Sequence, residues 1–257
     1  MERLATWPPY GLVATVPEPR PRPAVLRRSP LRLSVKQCPQ RARPPASKAT
    51  GADTIALPVV ETFHSLQGEG LHAGRSAFFI RLGGCAVGCS WCDTKHSWPQ
   101  EVHPRRSPAE LAAETTAAAA AGAGFVVITG GEPLHHNLGP LCAALAETEL
   151  PLHLETSGVD PLSGRFAWIT LSPKRHSPPE PTLLIACQEL KVVVHGQEDL
   201  AFAEAMAAAA QATGNRPALL LQPGWQSDSG LELALEHVRR SPGWRLSLQS
   251  HKLLGVR

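Results

Sequence analysis

The chain has 257 residues, enough for one domain with a real core, and its 43% hydrophobic and 18% charged content is that of a globular protein without an apolar run long enough for a membrane span. Six cysteines are too sparse for a disulfide scaffold and no stretch reads as a secretory signal, so a reducing cytoplasm is the expected compartment. The formal charge of +3 is uneven: ten Lys/Arg against two acids put +8 in residues 1–50 and leave −5 for the rest, which argues against nucleic acid as a direct partner.

Residues 1–54 carry ten of the 25 prolines and no useful periodicity. A segment of this kind cannot bury enough apolar surface to offset its ordering entropy, so a disordered Pro/Arg-rich extension is expected over 1–54 and a folded domain over 55–257. Cys38 falls in the extension, apart from the other cysteines.

Beyond it, strand and helix patterns alternate. Strands are predicted over residues 77–82, 125–129, 152–155, 168–171, 189–194 and 219–222, with a weaker seventh over 245–248. Ser107, Pro108 and Glu110 form a capping-box signature opening an Ala-rich helix that stops near Gly122; residues 137–146, 198–212 and 230–240 read as further helices. Such alternation implies a parallel sheet. Residues 158–165 are too few, and residues 173–188 too Pro-rich, to hold a helical crossover. The expected fold is therefore α/β, a partial (β/α) barrel of about six parallel strands with some outer helices missing.

Most of the predicted strands end in a polar cluster. Residues 83–92 follow the first and contain Cys85, Cys89 and Cys92, a C-x-x-x-C-x-x-C run on a Gly-rich loop; Gly130-Gly131-Glu132, Glu155-Thr156-Ser157 and Ser172-Pro173-Lys174 follow the next three, and Gln222 closes the sixth. Carboxyl ends of parallel strands share one rim, and that rim is where ligands bind. Three thiolates on one short loop suit a soft metal or an iron–sulfur cluster with a coordination position left open.

The cysteine run, with Trp91 before its last cysteine, resembles the signature of the radical S-adenosylmethionine enzymes. Within them SLQGEG, FIRLGGC, WCDT, TGGEP, ETSG, SPK, ELKVV, LQP and LQSHK, in order from residue 57 onward, resemble the 7-carboxy-7-deazaguanine synthases. The resemblance implies a 4Fe–4S cluster on Cys85, Cys89 and Cys92 whose open iron binds S-adenosylmethionine, the source of a 5′-deoxyadenosyl radical. It implies a lyase that converts 6-carboxy-5,6,7,8-tetrahydropterin to 7-carboxy-7-deazaguanine with loss of ammonia, in queuosine and deazapurine biosynthesis. By the same resemblance Gly130, Gly131, Glu132, Ser172, Pro173 and Lys174 bind S-adenosylmethionine, and Thr94 binds Mg²⁺. Leu66, Gln67, Gly68, Arg81 and Thr129 contact the pterin, with Glu155 and Gln222 in the same cavity. It further implies an external electron donor such as flavodoxin or ferredoxin, a homodimer, and a C-terminal segment that caps the substrate. The family often ends in a substrate-touching proline, whereas this chain ends Gly255-Val256-Arg257, which leaves the role of Arg257 open.

Plainer readings stand beside these. The cysteine loop would be a zinc site if His96 supplied a fourth ligand, which makes a non-catalytic zinc or iron–sulfur module the alternative from a different class. A glycyl-radical activase would share the cysteine motif. Cys142 and Cys187 lie in apolar surroundings and read as buried hydrophobes, and the histidines read as loop or core residues, with His251 the best candidate for more. Lys191, inside an apolar strand, is either a buried cation with a carboxylate partner or an edge position.

Overall fold

The computed structural model describes residues 56–256; the expected extension over 1–54 and Arg257 lie outside the described residues. Strands β1 (Leu57–Leu66), β2 (Ser76–Leu82), β3 (Arg105–Arg106), β4 (Val126–Gly130), β5 (Leu152–Thr156), β6 (Trp168–Leu171), β7 (Glu189–Val194), β8 (Ala218–Pro223) and β9 (Trp244–Leu246) form one sheet in the order β3-β1-β2-β4-β5-β6-β7-β8-β9. Pairing is parallel from β2 through β9, and β1 and β3 add to one edge antiparallel. The sheet does not close, so the architecture is the expected partial barrel. It has seven parallel strands rather than about six, because the weak seventh pattern is indeed a strand.

Helix α1 (Pro108–Ala120) opens with the capping box: the Ser107 hydroxyl accepts from Glu110 N–H, and the Glu110 carboxylate accepts from Ser107 N–H at 2.7 Å. Helices α2 (Gly139–Ala146), α4 (Gln197–Ala212) and α5 (Asp228–Arg240) follow β4, β7 and β8, and α6 (Ser250–Leu254) ends the described chain. No helix separates β5 from β6, as expected. The Pro-rich connection between β6 and β7 differs from expectation, since it holds the short helix α3 (Pro181–Ala186). Pro181 sits in its first turn, where a missing N–H leaves no bond unmade.

Strand β1 has no counterpart among the predicted elements, and neither do the two-residue β3 and the short helix α6. The burial of β1 follows no alternation along LPVVETFHSL, and a register shift between Val59 and Glu61 breaks the period-2 signal further.

Alternation along the other strands sorts side chains into two sets. Phe78, Ile80 and Leu82 of β2 and Val126 and Ile128 of β4 join the main core beneath the helices, whereas Ala77, Phe79, Phe125 and Val127 form a separate inner cluster. Stepping two residues on from that inner apolar layer reaches Arg81 on β2 and Thr129 on β4, which pair in register. The same step leads from His153 to Glu155 and from Glu189 to Lys191. The inner face is thus apolar at the starts of β2 and β4, carries His153 and Glu189 near the starts of β5 and β7, and is polar at the ends of all four strands.

The open side of the sheet is crossed by the turn after β1. Gln67 N–H donates to Arg75 C=O at 2.8 Å and Gly74 N–H to Gln67 C=O at 2.7 Å, folding the turn on itself. From there Gly70 N–H reaches the Ser247 hydroxyl at 3.0 Å, Leu71 N–H reaches the Glu189 carboxylate at 3.0 Å, and Gly68 C=O accepts from Ser250 N–H at 2.9 Å. Gly70 has φ +68°, a conformation that favours glycine, and a Cβ there would lie 2.2 Å from Glu189 Oε1, so a side chain would have to displace that carboxylate. Beneath it His72 packs among His153, Trp168 and Phe125 in tilted and edge-on contacts, with ring centroids 4.5 to 5.6 Å from its own.

Candidate active site

The polar inner face, the crossing turn and the cysteine loop enclose one cavity of about 300 Å³. The cysteine loop leaves β2 and is pinned at both ends: Gly84 N–H donates to Ser97 C=O at 2.7 Å and Cys85 N–H to Trp98 C=O at 3.1 Å. Cys92 N–H donates to Cys89 C=O at 3.1 Å, which turns the tip so that Cys85, Cys89 and Cys92 all line the cavity.

Strand β4 ends against this loop. Gly131 N–H donates to Leu82 C=O and Glu132 N–H to Gly84 C=O, both at 2.9 Å. A Cβ on Gly130 would lie 2.1 Å from Leu82 O, and one on Gly131 2.2 Å from Gly84 O. Gly130 is therefore required first by the end of β2 and Gly131 by the backbone of the cysteine loop. Glu132 is buried and its carboxylate is fully engaged: Oε1 accepts from Leu134 N–H at 3.0 Å and Thr156 Oγ1 at 2.5 Å, and Oε2 from Ser157 N–H at 2.7 Å and the Ser157 hydroxyl. With about four lone-pair directions on a carboxylate, none is left for a ligand ammonium. Glu132 instead ties the end of β4 to the end of β5.

The opposite wall is a polar network. Glu155 accepts from Gln67 Nε2 and from Thr129 Oγ1, each at 2.9 Å, linking the crossing turn, β4 and β5. Arg81 Nε donates to Glu61 at 3.0 Å, with its guanidinium 5.8 Å from the Phe63 ring centre. Lys191 is buried and forms an ion pair with Glu69, whose other oxygen accepts from Gln249 at 3.0 Å. Burial alone would raise the Glu69 carboxyl, but the Lys191 ammonium overrides it and holds Glu69 at about 2. Burial opposes the Lys191 charge as well, yet Glu69 raises Lys191 above the usual lysine range. Lys174 donates to Ser172 C=O at 2.7 Å and Ser172 Oγ at 2.9 Å, and its burial lowers it.

Every residue expected at the site lines this cavity except Pro173, which is buried beneath the rim between Ser172 and Lys174. The lining includes the expected pterin contacts Leu66, Gln67, Gly68, Arg81, Thr129, Glu155 and Gln222 and the expected Mg²⁺ ligand Thr94, and His251 joins them. A Cβ on Gly68 would lie 2.1 Å from His251 Nδ1, so the glycine leaves room for that ring. Sequence reasoning passed over Glu69, Trp98, Trp225 and Gln249. Glu69 and Gln249 had a signal, as the acid of SLQGEG and the amide of LQSHK; Trp98 and Trp225 join the site only through the fold.

The thiols meet the needs of a cluster better than those of zinc. A zinc site wants four donors at about 2.0–2.3 Å from one point, and among the described residues no three His, Cys, Asp or Glu side chains are grouped around a single ion. His96 is exposed and outside the cavity lining. An iron–sulfur cluster, whose irons each take a separate thiolate, accepts sulfurs that share a cavity without converging. Burial raises the Cys85 thiol, with Glu132 and Cys92 adding to it, and burial raises Cys89 while Lys174 acts the other way.

The sequence model of the Radical SAM superfamily matches residues 79–167. The chain is 53% identical to the 7-carboxy-7-deazaguanine synthase of Prochlorococcus marinus over 223 residues, covering 79% of this chain and 99% of that protein. It is 50% identical to the synthase of the same name from Synechocystis over 204 residues, covering 79% and 95%. Among solved structures, the crystal structure of QueE from Escherichia coli superposes with a TM-score of 0.69 at 31% identity, covering 79% of this chain and all of that one. By its cysteine loop, its cavity and these likenesses, the chain belongs to the 7-carboxy-7-deazaguanine synthase family of radical S-adenosylmethionine enzymes.

Proposed function

We propose that this protein is a radical S-adenosylmethionine lyase that converts 6-carboxy-5,6,7,8-tetrahydropterin to 7-carboxy-7-deazaguanine with release of ammonia. The observation that carries the reading is the convergence of the three cysteines, the strand-end polar residues and the crossing turn on one cavity. Cys85, Cys89 and Cys92 would hold the 4Fe–4S cluster. When bound, the cluster and S-adenosylmethionine supply hydrogen-atom abstraction; the protein's own part is orientation and exclusion of water.

The residues divide that work. Backbone groups of Gly130 and Gly131 and the Ser172–Lys174 turn would receive S-adenosylmethionine, since the Glu132 carboxylate is already saturated. Arg81 offers a guanidinium to the pterin carboxylate. Gln67, Thr129 and Glu155, already joined to one another, offer donors and acceptors for the pterin ring edge. Thr94 would give Mg²⁺ a hydroxyl oxygen, with substrate oxygens completing a shell that rarely needs many protein ligands. The segment after β9 caps the cavity through Lys252 paired with Asp93 and Gln249 bound to Glu69.

We further infer a cytoplasmic enzyme that takes its electron from an external donor such as flavodoxin or ferredoxin and works as a homodimer. Among the described residues no helix is long and apolar enough to cross a membrane. The test is anaerobic: reconstituted protein supplied with S-adenosylmethionine, Mg²⁺, reductant and the pterin should form 7-carboxy-7-deazaguanine, and Cys89→Ala should lose both iron and product. Undiminished turnover by Cys89→Ala, or stoichiometric zinc in place of iron, would overturn the reading.

A further inference from the structure

Trp98 lies six residues beyond the last cysteine, outside the metal-binding motif, yet it touches both ends of the cysteine run. Its backbone C=O accepts from Cys85 N–H at 3.1 Å, and its indole Nε1–H donates to Cys92 Sγ at 3.4 Å. The backbone of Trp98 is fixed by its N–H donating to Lys95 C=O at 3.1 Å, and the Lys95 ammonium stands 5.8 Å from the ring centre. No other contact to the three sulfurs is comparable among the described side chains. Thr94 Oγ1 is 3.6 Å from Cys92 Sγ, and His176 Nε2 is 3.7 Å from Cys89 Sγ while making a shorter bond, 3.1 Å, to Val87 C=O. Trp91, the aromatic inside the motif, packs instead on His176 and His195.

We propose that Trp98 is a positioning residue that sets the reduction potential of the cluster through its N–H···S bond to Cys92. The inference rests on the reading that Cys85, Cys89 and Cys92 hold a 4Fe–4S cluster. One-electron reduction adds a negative charge that is shared by the ligating sulfurs. A fixed N–H donor stabilises that more negative state over the oxidised one and so raises the potential. The backbone contact to Cys85 does not depend on the side chain, so Trp98→Phe removes the N–H while keeping the loop closure and the ring.

The experiment uses the full chain, reconstituted anaerobically, with a redox titration followed by electron paramagnetic resonance. Trp98→Phe should hold as much iron and sulfide as the parent and titrate at a more negative potential. An unchanged potential at full loading overturns the inference. Should Trp98→Phe assemble no cluster, the parent protein carrying tryptophan labelled with ¹⁵N at the indole nitrogen decides: a ¹⁵N hyperfine coupling to the reduced cluster supports the bond, and its absence rejects it. A parent chain that takes up no iron fails at the earlier step and overturns the cluster reading itself.

Discussion

Lys191 of β7 and Glu69 of the crossing turn are joined in a buried ion pair although they stand 122 residues apart in the chain. The pair fastens the turn that spans the open side of the sheet to the strand opposite, and it does so inside the cavity. Breaking one member leaves the other charge buried alone, which costs about 3–5 kcal/mol. Lys191→Met should therefore lower the urea midpoint strongly, and Lys191→Met with Glu69→Gln should recover part of the loss. Full stability in the single variant would contradict the pairing.

The same pair predicts an acid dependence. Glu69 falls from 4.5 to about 2 on folding, so its contribution is complete above pH 4.5 and is lost as the pH drops from there toward 2. Equilibrium unfolding followed over that window should have a shallower pH slope in Glu69→Gln than in the parent.

His153 predicts a second window at higher pH. Burial, with His72 and Arg75 adding to it, lowers it from 6.5 to about 4, so the folded protein holds a neutral imidazole that the unfolded chain would protonate. Its share of stability is present above pH 6.5 and declines as the pH falls from 6.5 toward 4. His153→Phe should flatten the stability profile between those values, and an unaltered slope would show that the ring is not held neutral.

Gly70 and Gly74 separate strain from collision. Both have positive φ, +68° and +84°, but a Cβ on Gly70 meets Glu189 Oε1 at 2.2 Å and one on Gly74 meets nothing within 4 Å. Gly74→Ala should lose about 1–2 kcal/mol, the strain of a left-handed residue, and keep its activity. Gly70→Ala should lose more and also lose turnover, because Gln67 and Gly68 sit on the same turn. Equal losses in the two variants would mean that the Glu189 contact is not a constraint.

Glu132 is expected to behave as a structural keystone rather than a ligand group. Glu132→Gln places an amide N–H₂ against donors that the carboxylate accepted, leaving buried groups unpaired at about 1–3 kcal/mol. Melting temperature and iron content should both fall. A variant with native melting temperature that merely binds S-adenosylmethionine more weakly would reverse this assignment.

The cysteine triplet, the strand-end clusters and the capping box at Ser107 were all legible because each is local: spacing along the chain and a period of two or 3.6 residues carry them. The parallel sheet followed from alternation, and the shared rim followed from the parallel sheet. Strand β1 was hidden because its burial does not alternate, and α3 because prolines near its start were read as breakers when Pro181 only occupies the first turn. Pro173 belongs to the same motif as Ser172 and Lys174, but it is buried and absent from the cavity lining.

What the sequence by itself determined is the chemistry on offer: three thiols on one loop, glycines where backbones must meet, and acids, amides and a lysine at strand ends. The tertiary structure decided which of these groups remain free for a ligand. Glu132 is saturated by Thr156, Ser157 and Leu134, Glu69 is claimed by Lys191 and Gln249, and Trp98 is turned toward Cys92. Hydrogen bonds and ion pairs depend on distances of a few ångströms between groups up to 182 residues apart in the chain, and only the folded sheet and the turn that crosses it set those distances.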